Sequence, residues 1–228
     1  MHTRTRGPVL RHATGTVACL AAAAALALPA STPATGATAA TGGTDGGSTI
    51  HYSSGKPRDA RLTIPKVGIR RLPVLAYRGR TDDGPGTRIQ DRGLAASPYG
   101  PRGGIGPGGI GNYQVTAHRT VHGGVFRHTP SLRRGDVAYV DAGRWRYVYR
   151  VVATRWVSFR SAASLRAQRA PVPGHPGRKA TIGYLTISTC ATPEDHAAGR
   201  YWADRFGNPT HRIDKIAILV KRVTNPYR

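Results

Sequence analysis

The chain has 228 residues and a mass of 24.3 kDa, which allows one or two domains. Its 34 basic and 11 acidic residues give a formal charge of +23. A mean hydropathy of -0.37 excludes a polytopic membrane protein. Two cysteines are too few for a disulfide scaffold or a four-ligand structural zinc site. Of the basic residues 29 are arginine and 5 lysine, in a chain rich in Ala, Gly and Pro, so the charge reads as compositional bias. The arginines are spread along the chain and no nucleic-acid motif is present, so no nucleic-acid partner is expected.

In chain order, residues 1–30 come first. Arg4, Arg6 and Arg11 precede a charge-free stretch whose Val17–Leu28 part is Ala, Leu, Val and Cys. A basic segment followed by a short apolar run is the pattern of an export signal; an uncleaved N-terminal membrane anchor is the alternative. Residues 31–60 are Ser, Thr, Ala, Gly and Pro, with few large apolar side chains to offset ordering entropy, so a flexible linker is expected. The folded domain is expected over 61–222, with a short tail at 223–228.

Within that domain short Val-, Ile- and Tyr-rich runs are punctuated by Gly, Pro and Asp. They predict strands at Leu62–Ile64, Leu72–Tyr77, Asn112–His118, Val137–Asp141, Arg146–Ala153, Trp156–Phe159, Ala180–Cys190 and Lys215–Val220. Trp145, Tyr147, Tyr149 and Val151 alternate as on a half-buried strand. Short helices are predicted around Phe126–Arg133 and Ser161–Arg169. Gly79–Gly111 and Ala191–His211 read as long irregular stretches. Many strands and few helices make the fold all-β, a barrel or a sandwich.

Beyond Cys19, in the N-terminal apolar run, Cys190 is the only thiol. In an exported protein an unpaired thiol invites oxidation unless it has a task. Leu185–Cys190 reads as a strand ending at the thiol, next to a long loop, which suits an exposed nucleophile on a rigid scaffold. Of nine histidines His118 also ends a predicted strand. His118 and His122 are four apart, but the HExxH glutamate is lacking and the segment reads as strand and turn. Only nine acids lie from Arg61 onward, without a cluster for calcium. Neither a cofactor nor a required metal is expected.

Three motifs together carry a family resemblance. Thr116-Ala117-His118-Arg119-Thr120, Thr186-Ile187-Ser188-Thr189-Cys190, and Arg212 within Thr210-His211-Arg212-Ile213 resemble the signatures of bacterial sortases, in the same order. Leu62-Thr63-Ile64-Pro65 resembles the family's first-strand motif. The likeness covers about residues 60–222 and is most like an actinobacterial class E or related sortase. It implies a closed, mostly antiparallel β-barrel with one or two short helices and long loops, and an extracytoplasmic cysteine transpeptidase. Catalytic roles are implied for His118, Cys190 and Arg212. The implied partners are secreted proteins bearing a C-terminal sorting signal and an amine of a cell-wall precursor or a pilin. Arg119 and Arg200 are the other arginines near these motifs. Arg119 follows His118 at a strand end, so its side chain is expected on the opposite face.

Two other readings compete. An L,D-transpeptidase-like enzyme has a Ser-x-Gly-Cys arrangement, whereas Ser188 and Thr189 precede Cys190 without that glycine. A non-catalytic basic wall-binding module has no use for an activated thiol.

Overall fold

The computed structural model describes residues 49–228. The expected export signal or anchor (1–30) and most of the expected linker lie outside the described residues. Among the described residues no helix is long and apolar enough to cross a membrane.

Eight strands close into a barrel in the order β1-β2-β3-β4-β7-β8-β6-β5. They are β1 (Ala60–Ile64), β2 (Ile69–Arg78), β3 (Ala95–Tyr99), β4 (Gly111–Thr116), β5 (Val137–Ala142), β6 (Trp145–Ser158), β7 (Gly183–Cys190) and β8 (His211–Thr224). Most neighbours are antiparallel; β2 with β3 and β4 with β7 are parallel. The all-β barrel expected from the sequence is therefore present. Its interior takes alternate side chains, such as Leu62, Val74, Tyr113, Val115, Leu185, Ile187 and Leu219. Burying each Leu, Ile or Val contributes about 1.5–3 kcal/mol. The alternation of Trp145, Tyr147, Tyr149 and Val151 directs all four toward this core.

Three short helices sit outside the barrel: α1 (Gly84–Gln90), α2 (Ala162–Arg169) and α3 (Thr192–Ala197). α2 matches its prediction, with Ser161 as N-cap accepting from the Ser164 amide at 3.1 Å. The helix predicted at Phe126–Arg133 is only a 3-10 turn at Thr129–Ser131. Phe126 and Leu132 both enter the core, and six residues apart they would point about 120° apart around an α-helix.

The predicted irregular stretch Gly79–Gly111 contains α1 and β3. α1 holds two glycines and a proline, yet Asp83 caps it, accepting from the Gly86 amide at 3.0 Å, and Pro85 occupies its first turn. The stretch after Cys190 likewise contains α3, with Pro193 in its first turn and Glu194 and Asp195 at its positive end. β6 is one strand where two were predicted, with register shifts opposite β8 at Val148/Tyr149 and Val151/Ala153.

The domain edges also differ from composition. Ile50 and Tyr52 pack on the core, the Ser53 amide donates to the Gly108 carbonyl at 2.8 Å, and Asp59 Oδ1 accepts from the Ala76 amide at 2.9 Å. Residues 49–59 are thus bound to the barrel by a few side chains and backbone bonds, which composition does not report. Gly108 supports this contact in a left-handed conformation (φ +76°), and a Cβ there would strike the Tyr147 ring. At the other edge β8 runs to Thr224, Asn225 donates to the Gly143 carbonyl at 3.0 Å, and the Arg71 guanidinium covers the Tyr227 ring. Val223 and Thr224 thus belong to the sheet and Asn225 is anchored, while Pro226, Tyr227 and Arg228 are exposed.

Candidate active site

Two registers bring the three motif residues onto neighbouring strands. β4 and β7 run parallel with Thr116 opposite Ser188, so His118, just past the end of β4, falls beside Cys190. Across the antiparallel β7–β8 ladder, Cys190 is opposite Arg212. Neighbouring strands are about 4.8 Å apart, so the register alone assembles a His–Cys–Arg row. Thr116, Ser188, Cys190, Arg212 and Asp214 occupy the outer face, because Tyr113, Val115, Leu185 and Ile187 fill the inner one. α2 covers part of that outer face: Asn112 Nδ2 donates to the carbonyls of Gln168 and Ala170 at 2.9 and 3.1 Å.

Cys190 and His118 line one cavity of about 400 Å³, together with Asp91, Arg119, His122, Thr192, Phe206 and Asn208 among others. Burial pushes the Cys190 thiol up to about 12; Asp204 and Asp195 add to this and Arg119 opposes it. The thiol is therefore protonated at neutral pH. His118 Nε2 lies 2.8 Å from Asp91 Oδ1. A carboxylate oxygen accepts, which makes Nε2 the donor and leaves Nδ1 free. The loop after His118 is closed by the Phe126 amide donating to the His118 carbonyl at 3.0 Å.

Arg119 does not face away from His118. Both residues line the cavity, because β4 ends at Thr116 and strand alternation stops there. Arg119 Nη1 donates to the Cys190 carbonyl at 3.2 Å, and its fork grips Glu194 on α3, one bond measuring 2.7 Å. That pairing holds the Glu194 carboxyl below the usual carboxylate range. Asp195, fully buried, accepts from the His211 amide at 2.8 Å and lies 2.7 Å from His211 Nδ1, tying α3 to the start of β8. Arg200 is exposed, 4.0 Å from Asp195.

Arg212 is 1% exposed and lies behind the cavity. Its Nε donates to Ser188 Oγ at 2.8 Å and its Nη2 to Thr116 Oγ1 at 2.7 Å. Its remaining nitrogen is paired with the Asp82 carboxylate. Burial pulls Arg212 down to about 10, with Asp214 opposing, and it raises the Asp214 carboxyl. Asp82 lies between β2 and α1 with φ +56°, and its Oδ1 also accepts from Gln90 Nε2 and Thr116 Oγ1, each at 3.0 Å.

Four polar participants escaped the sequence reading: Asp82, Asp91, Glu194 and Asp195. Asp82-Asp83 before Gly84-Pro85 carries a capping signal that identifies the helix start. Nothing local in the sequence shows that Asp91 meets His118, 27 residues on.

A thiol at a strand end, beside an imidazole and in front of a buried guanidinium, has the parts needed for cysteine acyl transfer. A sortase domain model matches residues 62–204, and the chain belongs to the sortase family, a family of cysteine transpeptidases. Sortase SrtE1 of Streptomyces coelicolor is 34% identical over 84 residues, 37% of this chain and 23% of that protein. Among solved structures, the SrtA sortase of Actinomyces oris aligns with a TM-score of 0.56 at 21% identity, over 79% of this chain and 89% of that one. Sortase E of Streptomyces avermitilis gives 0.53 at 23%, over 76% and 93%. Sortase E1 of Streptomyces coelicolor, solved with a tripeptide in its active site, gives 0.53 at 21%, over 76% and 94%. Sortases join proteins bearing a sorting signal to amine nucleophiles at the cell surface.

Proposed function

We propose that this chain cleaves the Thr–Gly bond of an LPxTG- or LAxTG-like sorting signal through a Cys190 thioacyl intermediate, and transfers the protein to an amine of a cell-wall precursor or a pilin. The observation that carries this reading is the His118–Cys190–Arg212 row formed by two strand registers. Because burial keeps the resting thiol protonated, the nucleophile forms as His118 takes its proton. The sulfur then bonds to the threonine carbonyl carbon. The C–N bond to glycine breaks, and His118 returns the proton to the departing amine. The incoming amine attacks the thioester and releases the thiol. Arg212 donates to the carbonyl oxygen as it gains charge. Its guanidinium is now held by Asp82, so the Asp82 carboxylate gives way when that contact is made.

The domain works outside the cytoplasm, with residues 1–30 directing export or tethering it to the membrane, and needs no cofactor. Fluorogenic sorting-signal peptides test the reading. The wild-type chain should cleave them, releasing the glycine-bearing fragment, and Cys190→Ala should not. Absence of cleavage of both LPxTG and LAxTG peptides would overturn the substrate assignment.

A further inference from the structure

Beside Cys190 the structure gathers three metal-ligating side chains from two separate segments. Asp91 follows α1, and His118 and His122 belong to the loop after β4. Their ligand atoms all lie within 4.8 Å of one another. Asp91 Oδ1 is 2.8 Å from His118 Nε2 and 3.5 Å from His122 Nε2. The two imidazoles stack with centroids 5.2 Å apart, both presenting Nε2 to the same oxygen. His122 reaches this position from a left-handed backbone (φ +48°), followed by Gly123 and Gly124, also left-handed. A β-branched or extended residue does not make that turn at low cost.

We propose that Asp91, His118 and His122 form an inhibitory site for a borderline-soft divalent cation such as Zn²⁺. Ligands at 2.0–2.1 Å around a tetrahedral ion stand about 3.3 Å apart, close to the present 2.8 and 3.5 Å spacings to Asp91, while the two imidazole nitrogens, within 4.8 Å of each other, close in on the ion. Two imidazole nitrogens and one carboxylate select zinc, cobalt or nickel over calcium and magnesium. Half of the His122 side chain is exposed, so the ion enters from solvent without opening the barrel. On binding, the ion takes the Nε2 lone pair of His118, and the one proton of the neutral ring sits on Nδ1 instead. His118 then has no ring nitrogen left to accept the thiol proton. The loss of activity rests on the proposed role of His118; the metal site itself does not.

Co²⁺ titration of the full chain, read by its visible d–d absorption, tests the site directly. Saturable binding at one equivalent is expected. His122→Asn, which suits a left-handed backbone, should weaken it at least tenfold. His122→Phe, which keeps a ring against His118, serves as the second variant and should weaken binding equally. In peptide cleavage Zn²⁺ should inhibit wild type, reversibly on chelation, with its inhibition constant raised by the same factor in both variants. Affinity that is unchanged in the variants would overturn the site. Site-specific binding without inhibition would instead overturn the inhibitory role and the proton role of His118. The cobalt spectrum still decides the site if no peptide is cleaved.

Discussion

Cys190 and Arg212 are directly opposed across the β7–β8 ladder, yet the guanidinium does not enter the cavity that holds the thiol. It is turned into a buried polar network with Asp82, Thr116 and Ser188. A residue proposed to stabilise an oxyanion is thus stored next to the place where it acts, with an acidic side chain occupying its free edge.

Substituting Arg212 separates storage from catalysis. Arg212→Lys keeps the charge and loses the fork, so kcat/KM should drop on the order of 100-fold or more. Arg119→Ala removes the cation that opposes the rise of the Cys190 thiol, and the drop should be nearer tenfold. Equal or reversed losses in steady-state peptide cleavage by the folded variants would move the oxyanion role to Arg119.

Asp82→Asn breaks a buried ion pair while leaving Arg212 in place. Losing one partner of such a pair costs about 3–5 kcal/mol. At roughly 2–4 °C per kcal/mol for a domain of this size, the melting temperature should fall by about 6–20 °C. An unchanged thermal unfolding midpoint would mean that the pair contributes nothing net.

The thiol can be followed by alkylation. Desolvation disfavours the thiolate, so its population stays small through neutrality and grows only as pH approaches about 12. Iodoacetamide should modify Cys190 on the order of 100-fold more slowly at neutral pH than free cysteine, with a rate still rising above pH 10. A plateau near the ordinary thiol value would overturn the effect of burial, and one well below it would reveal a thiolate–imidazolium pair.

Truncation tests the upstream segment. A chain starting at residue 49 keeps Ile50, Tyr52 and the Ser53–Gly108 bond, whereas one starting at 61 loses them. These half-buried side chains contribute about 2 kcal/mol together. The shorter form should therefore melt roughly 4–8 °C lower, seen by circular dichroism. Identical melts would assign these residues to the linker after all.

The sequence reading located the reactive strands better than the elements that surround them. β7 announces itself by Thr186, Ile187 and Thr189 ahead of Cys190, β4 by Tyr113, Val115 and Thr116 ahead of His118, and the family resemblance points to Arg212. α1, β3 and α3 do not, for separate reasons. α1 is made by a cap and by packing rather than by helix propensity, since it contains Gly84, Pro85 and Gly86. β3 is Ala95-Ala96-Ser97-Pro98-Tyr99, small residues held mainly by parallel pairing with β2. Arg119 was misplaced because alternation was extended past the end of its strand. Asp82 and Asp91 were invisible because their importance comes from contacts across 27 or more residues.

The order in which the barrel is laid down has a consequence for folding. β8 pairs with both β6 and β7, and it carries Arg212. β4 and β7, which set His118 beside Cys190, are separated by the whole of β5, β6 and α2. Such non-local pairing is paid in loop-closure entropy and forms late. The Cys190–Arg212 pairing therefore does not exist until residues 211–224 have joined the sheet. Closing the barrel and completing the His118–Cys190–Arg212 row are thus one and the same folding event.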